Sequence, residues 1–353
     1  MVTIFITGFP GFIAGRLVEQ LADAETRFFL LVQTAFIEKA KQSIEEISAN
    51  RRVPLENFYL FEGDITKPNL DLSDEDLDLV RAETTDVFHL AAVYDLAVER
   101  DLAITVNVEG TKNVNVLAQS IQHLHRYNYI STCYVAGKRE GLILENELVH
   151  EAGFRNFYEE TKYLAEISVE NLKDEIPVTI YRPSVVVGDS ETGETVKYDG
   201  IYSLILYLRK FPQVLSLVNI GNMQVRLNLA PVDFVVEAIS ALSKDENAVN
   251  KTFHIADRNP LTTAELFDVI SQNLANHSSL ISFPTPVTKQ LLMLPLTPTI
   301  SGLPHVGVPY FFIEQLYDTE LSSEMLAKHN VICPPFDSYV TNLLEFVAKH
   351  PRL

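Results

Sequence analysis

Residues 7–15 read TGFPGFIAG and follow the apolar run TIFIT at 3–7. Gly8 and Gly11, with Ala14 three places on, match the spacing TGxxGxxG with alanine in the last position. A bound diphosphate needs unpaired backbone N–H groups at a helix start, and glycines let the chain turn tightly and approach it without a Cβ. A glycine pattern alone is weak, but this one leaves a predicted strand and opens a predicted helix over 11–23, apolar at 12, 13, 17, 18 and 21. That context favours a dinucleotide loop over a plain strand-to-helix turn, with Gly8, Gly11, Phe12 and Ile13 against the cofactor. Ala14 is small enough for the helix to pack on the strand.

The same grammar continues downstream. FFLLV (28–32), FYLFEGD (58–64), DVFHLAA (86–92), YNYIST (127–132) and VTIYRPSVVVG (178–188) read as strands. Between them lie helical patterns at FIEKAKQSIEEISAN, TVNVEGTKNVNVLAQSIQ and around 155–172. Strands alternating with helices predict an α/β fold, a doubly wound parallel (Rossmann) sheet. After Gly188 the pattern loosens. DSETGETVKYDG reads as a polar loop, IYSLILYLRKF as a helix, APVDFVVEAISALSK (230–244) as a return to the core and KTFHIAD (251–257) as a strand. In LTTAELFDVISQNL, Thr262 or Thr263 is the expected N-cap, with Glu265 in the first turn. The expected division is a dinucleotide domain over 1–188 with return segments at about 230–260, and a smaller interleaved C-terminal substrate region from 189–229 and 261–353.

Bulk properties narrow the function. At 353 residues the chain fits one large or two unequal domains. A net charge of −19 lacks the basic footprint of a nucleic-acid binder, so no nucleic-acid partner is expected. The pairs Arg51-Arg52, Lys138-Arg139 and Arg209-Lys210 read as solvated surface. Two cysteines, Cys133 and Cys333, are too few for a disulfide framework and lack metal-ligand spacing, and no HxxxH or HExxH occurs, so no metal is expected. That cysteine usage fits a reducing cytoplasm, the expected location, and the start MVTIFITG lacks the basic region of a signal peptide. The uncharged stretch 290–313 is long enough to raise a membrane span, but prolines at 295, 298, 304 and 309 would break it, so no transmembrane span is expected.

The chemistry centres on FYEETKYLAE, where Tyr158 and Lys162 stand four apart and share a helix face. An ammonium beside a phenol favours the phenolate, so a Tyr158 pKa lowered towards neutrality is expected. An incidental YxxxK is common. This one follows a strand ending in Ser131-Thr132, downstream of the glycine loop. Nicotinamide selection should sit at the end of the second strand, where an acid would bind the ribose diol and repel a 2′-phosphate. That end reads LLVQT, with Gln33 in place of an acid. NADP is therefore the expected cofactor, with charge from Lys39, Lys41 or Arg16, and NAD stays open.

At this point the sequence resembles the extended branch of the short-chain dehydrogenase/reductase superfamily. The resemblance rests on TGFPGFIAG, GDIT (63–66), HLAA (89–92), NVEGTKNV (107–114), YISTCYVAG (129–137), YEETK (158–162) and YRPSVVVGDSETGE (181–194). It implies that Tyr158 gives or takes the proton, that Lys162 binds the nicotinamide ribose and tunes Tyr158, and that Thr132 bonds the reacting carbonyl oxygen. It further implies that Asp64 and Ile65 flank the adenine, Ala91 and Ala92 the ribose and phosphates, and Pro183 to Val185 the nicotinamide. Within the branch, STCYVAG, RPSVVVGDSETGE and LAPVDFVVEAI are most similar to the fatty acyl-CoA and thioester reductase group. Sugar-nucleotide epimerases usually carry asparagine after the RP-like strand, and this chain does not. The group's frequent arginine is replaced by Gln33.

The implied activity is NAD(P)-dependent hydride transfer to a carbonyl, most specifically a thioester reduced to an aldehyde. The substrate is then a small carbonyl compound or an acyl thioester delivered in trans, with the apolar 280–313 region as a wall for an acyl chain. An alcohol dehydrogenase or aldehyde/ketone reductase, an epimerase-like enzyme and a cofactor-sensing binding protein are the alternatives, and a homodimer stays open. Cys133 should point away from the cofactor and be structural. His89 should be structural at a strand end, and His123 and His125 superficial. Tyr94 and Asp95 either line the pocket or start a helix. Asn107 either bridges the cofactor loop or is merely structural.

Overall fold

The computed structural model describes residues 2–282, 290 and 308–352. Its main sheet contains β1 (Val2–Thr7), β2 (Thr26–Val32), β3 (Phe58–Glu62), β4 (Asp86–His89), β5 (Arg126–Ile130), β6 (Val178–Pro183) and β7 (Thr252–Ile255). All pair in parallel, in the order β3-β2-β1-β4-β5-β6-β7. The longer helices are α1 (Phe12–Leu21), α2 (Ile37–Arg51), α3 (Asp74–Glu83), α4 (Gly110–Ser120), α5 (Phe157–Glu170), α6 (Ile201–Lys210), α7 (Val232–Ser243), α8 (Thr263–Ala275), α9 (Glu320–Ala327) and α10 (Phe336–Lys349).

Alternation along the strands builds a core on each face. In β1 and β2, Ile4, Ile6, Phe28 and Leu30 join Leu17 and Val18 of α1, Ile44 of α2 and Ile239 of α7. Phe5, Phe29 and Leu31 point the other way, onto Val80 of α3, Leu117 of α4 and Val169 of α5. Phe29 is fully buried and meets Phe61 edge-on at 5.2 Å; truncation to alanine there would cost about 3–5 kcal/mol. This is the doubly wound α/β sheet expected from the alternating pattern.

A third core lies beside it. Leu204, Ile205 and Leu208 of α6, Leu266 and Ile270 of α8, and Val340 and Leu343 of α10 pack together with Leu229. The single strand expected over 178–188 divides after Pro183. Residues 185–187 leave the main sheet and pair with 229–231, carrying the chain from one core to the other. The expected strands over 86–92 and 127–132 stop at His89 and Ile130, where sheet pairing ends and the chain turns over the strand tips. Thr262 is the N-cap of α8, in a capping box with Glu265.

The order of the sheet reverses between β2-β1 and β4-β5, and a crevice opens outside the carboxyl ends of the strands at such a switch. Among the described residues no helix is long and apolar enough to cross a membrane. Most of the uncharged 290–313 stretch lies outside the described residues.

Candidate active site

The glycine loop closes on itself through a 2.8 Å bond from Gly11 N–H to the Gly8 carbonyl. Gly8 has φ +91°, and a Cβ there would stand 2.8 Å from the Ala91 nitrogen; one on Gly11 would stand 2.7 Å from the Gly8 oxygen. Both positions therefore require glycine. Helix α1 then starts with no side-chain cap and no acid in its first turn. Its N–H groups and positive dipole end are left for an anion. An uncapped helix start beneath a loop that admits no Cβ fits a dinucleotide diphosphate.

These residues floor a cleft of about 770 Å³. At one end it is lined by Gln33, Phe36, Lys39 and Ile65, beyond β2; at the other by Thr132, Tyr158, Pro183 and Val185, beyond β5 and β6. Gly8, Gly11, Phe12, Ile13, Ala91 and Ala92 line the middle. Asp64, Asn107 and Lys162 are absent from this lining. Asp64 turns back to accept from Thr66 N–H at 2.8 Å. Asn107, in a widened π-type turn at 104–109, accepts from Val93 N–H at 2.8 Å and donates to Thr161 Oγ1 at 3.0 Å. It thereby ties the loop after β4 to α5.

Tyr158 stands in the first turn of α5, whose N-cap Asn156 accepts from Glu159 N–H. Tyr158 is nearly buried and lines the cleft with Thr132. Burial raises its pKa, the neighbouring Thr132 hydroxyl opposes that, and Glu159's charge adds to the rise. This reverses the expected lowering. The reason is where Lys162 points: its ammonium donates to Tyr129 Oη at 3.0 Å and the Ile130 carbonyl at 2.9 Å, 4.6 Å above the Tyr129 ring. Burial lowers the Lys162 pKa to about 8, with Glu166 opposing.

Behind the site runs a buried polar line. Thr7 Oγ1 accepts from Ala91 N–H at 3.2 Å and shares a hydrogen bond with His89 Nδ1 at 2.7 Å, while His89 Nε2 shares one with Thr111 Oγ1 at 3.0 Å. Burial, with the nearby Lys162 charge, holds the His89 pKa down to about 3, so the ring is neutral. His89 is structural, as expected. Deeper still, the Glu166 carboxylate accepts from Arg182 Nη2 at 2.6 Å and Nε at 2.8 Å, and from the Ser131 hydroxyl. This pins the residue before Thr132 to α5. Cys133 is buried, its thiol donating to the Arg182 carbonyl, and burial raises its pKa. It is no nucleophile.

The open alternatives resolve separately. Tyr94 lines the cleft, with its ring edge-on to Tyr158 at 5.2 Å, whereas Asp95 accepts from Ala97 N–H in a local turn. Of the three cations proposed for a 2′-phosphate, Arg16 pairs with Asp189 at 2.9 Å and Glu194 at 2.8 Å, and Lys41 with Glu38 at 2.7 Å. Lys39 lines the cleft. Sequence reasoning missed Lys197 and Asp199, which form a 3.5 Å pair in the cleft wall, Lys197 lying 5.6 Å over the Tyr94 ring. A polar loop with no periodicity gave no signal for them. His125, half-exposed, bonds Asp86 and Glu246.

Comparison with known proteins accords with this geometry. The sequence profile of an NAD-binding family described as Male sterility protein matches residues 6–239. Linear gramicidin synthase of Brevibacillus parabrevis is 27% identical over 284 residues, 75% of this chain and 5% of that protein. Fatty acyl-CoA reductase wat of Drosophila melanogaster is 25% identical over 279 residues, 69% of this chain and 54% of that protein. The chain thus spans about half of the fatty acyl-CoA reductase and a small part of the synthase. The terminal R domain of the myxalamid PKS-NRPS pathway superposes with a TM-score of 0.82 at 21% identity, covering 100% of this chain and 92% of that one. The UDP-glucuronic acid 4-epimerase of Bacillus cereus, solved with NAD, gives 0.69 at 15% identity, with 99% and 100% covered. With the family profile spanning most of the chain and the fold shared with a reductase domain, this protein belongs to the NAD-binding Male sterility protein family, within the extended short-chain dehydrogenase/reductase fold.

Proposed function

We propose that the protein is an NADP-dependent reductase that converts an acyl thioester to an aldehyde and free thiol. The observation that carries this reading is that Thr132 and Tyr158 line the same cleft whose middle is a glycine-lined diphosphate cradle. The nicotinamide supplies a hydride to the carbonyl carbon when bound. Thr132 and Tyr158 hold the carbonyl oxygen and stabilise the charge that develops on it. A phenol is protonated at neutral pH, so Tyr158 has a proton to give to that oxygen. The resulting hemithioacetal breaks its C–S bond and releases thiol and aldehyde. Lys162 anchors the nicotinamide ribose by resemblance to the superfamily, from its seat on Tyr129.

The cleft wall suits an acyl group: Leu102, Val106 and Val196 line it, with Val93 packed on the cluster that holds Tyr158. Lys39, exposed beside Gln33, is suited to a ribose 2′-phosphate and favours NADP over NAD. An ordinary aldehyde or ketone reductase would use the same hydroxyls, so the test is a substrate panel. Acyl-CoAs and the matching aldehydes are offered with NADPH while nicotinamide absorbance and free thiol are followed together. Thiol appearing in step with NADPH loss supports the thioester reading. Turnover of aldehydes or ketones alone contradicts it.

A further inference from the structure

The described segment 308–317 lies far from the catalytic motifs in sequence and against them in space. Residues 315–317 pair in parallel with 141–143, and Tyr317 packs on Cys133, next to Thr132. Gln315 donates to the carbonyls of Gly137 at 2.8 Å and Arg139 at 2.7 Å. At the front of this strap stands Tyr310, buried. Its hydroxyl donates to Glu159 Oε1 at 2.7 Å and accepts from Asn156 Nδ2 at 2.7 Å. Asn156 is the N-cap of α5 and Glu159 its third residue, so Tyr310 bridges the two side chains that define the helix start on either side of Tyr158. Its ring also meets that of Tyr134 at 4.7 Å, and Tyr134 N–H donates to Thr132 Oγ1. The one side chain thus touches the support of both hydroxyls that form the site.

We propose that Tyr310 is a positioning residue for catalysis: it locks the Asn156–Glu159 helix start and the Tyr134 turn together, fixing Tyr158 against Thr132. Tyr310 lies outside the cleft lining and bonds neither hydroxyl; it reaches them through Asn156, Glu159 and Tyr134, with the Arg155 guanidinium 5.9 Å over its ring. Seating of the C-terminal strap is thereby coupled to the reacting pair. The inference rests on the reductase reading of the Thr132–Tyr158 site.

The test uses Tyr310→Phe, which keeps the ring against Tyr134 and removes only the hydroxyl, and Asn156→Asp, which keeps the cap acceptor and removes the donor to Tyr310. Turnover of the best acyl thioester is normalised to NADPH-binding sites measured by fluorescence titration. The expected result is a kcat about fivefold or more below the parent for Tyr310→Phe, as the loss of its two hydrogen bonds allows, with NADPH Kd within about twofold. The double variant should lose no more than the worse single one, because Tyr310→Phe already breaks the Asn156–Tyr310 contact that Asn156→Asp breaks. Unchanged kcat per binding site in Tyr310→Phe, or losses that multiply in the double variant, overturns the proposal. Tyr158→Phe is run beside them. If it retains full turnover the site reading itself has failed, whereas its inactivity with an unaffected Tyr310→Phe removes the positioning role alone. Should Tyr310→Phe bind no NADPH, Asn156→Asp alone decides by the same kcat criterion.

Discussion

Lys162 and Tyr158, one helical turn apart in YEETK, face different surroundings: the Lys162 ammonium donates to Tyr129 Oη at 3.0 Å, while Tyr158 lines the cleft with its ring edge-on to Tyr94 at 5.2 Å. A buried ammonium with a pKa near 8 leaves a signature in stability. The unfolded lysine keeps its proton up to about 10.5, whereas the folded one releases it near 8. Between those values the unfolded chain binds more protons, so rising pH favours the folded state, by up to about 1.4 kcal/mol per unit. Urea denaturation of the cofactor-free protein from pH 7 to 10 should show this rise, and Lys162→Met should lack it. Parallel pH profiles for the two proteins would show that Lys162 is not depressed.

Gly8→Ala places a Cβ 2.8 Å from the Ala91 nitrogen at φ +91°. A stability loss of about 1–3 kcal/mol is expected from the backbone strain alone. NADPH binding by fluorescence titration should weaken as well, because the clash displaces the loop after β4. Parent affinity in this variant would remove the loop from the cofactor site.

Lys39→Ala separates the two nicotinamide cofactors. Loss of a charge-assisted contact to a 2′-phosphate should raise the NADPH Kd about tenfold and leave that for NADH unchanged. Equal effects on both would place Lys39 outside the 2′-phosphate site.

Glu166→Ala leaves Arg182 buried and without its carboxylate partner, both side chains being almost wholly inaccessible. Removing one member of such a pair costs about 3–5 kcal/mol. Chemical denaturation should show that loss, and Ser131, also held by Glu166, should loosen beside Thr132. A change below about 1 kcal/mol would mean that water reaches Arg182 in the variant.

Local signals made the framework legible. The glycines at 8 and 11 announce a loop that admits no Cβ, and the period-two burial of Ile4, Phe5 and Ile6 announces a strand covered on both faces. Helical spacing put Tyr158 and Lys162 on one turn, but spacing carries no information on which neighbour an ammonium prefers. The competing acceptors, Tyr129 Oη and the Ile130 carbonyl, come from another strand. Lys197 and Asp199 sit in an aperiodic loop, and Tyr310 reaches the catalytic helix from 151 residues beyond Glu159. Contacts of that range follow from tertiary packing, which no local pattern encodes.

The central claim is that Tyr158 donates the proton that completes hydride transfer to a thioester carbonyl. Steady-state NADPH oxidation with an acyl thioester, measured for the parent and for Tyr158→Phe, tests it most directly. The phenylalanine ring keeps the packing and removes the proton. The expected result is a kcat lower by about 10²–10⁴-fold with the NADPH Kd unchanged; turnover at the parent rate would contradict the assignment.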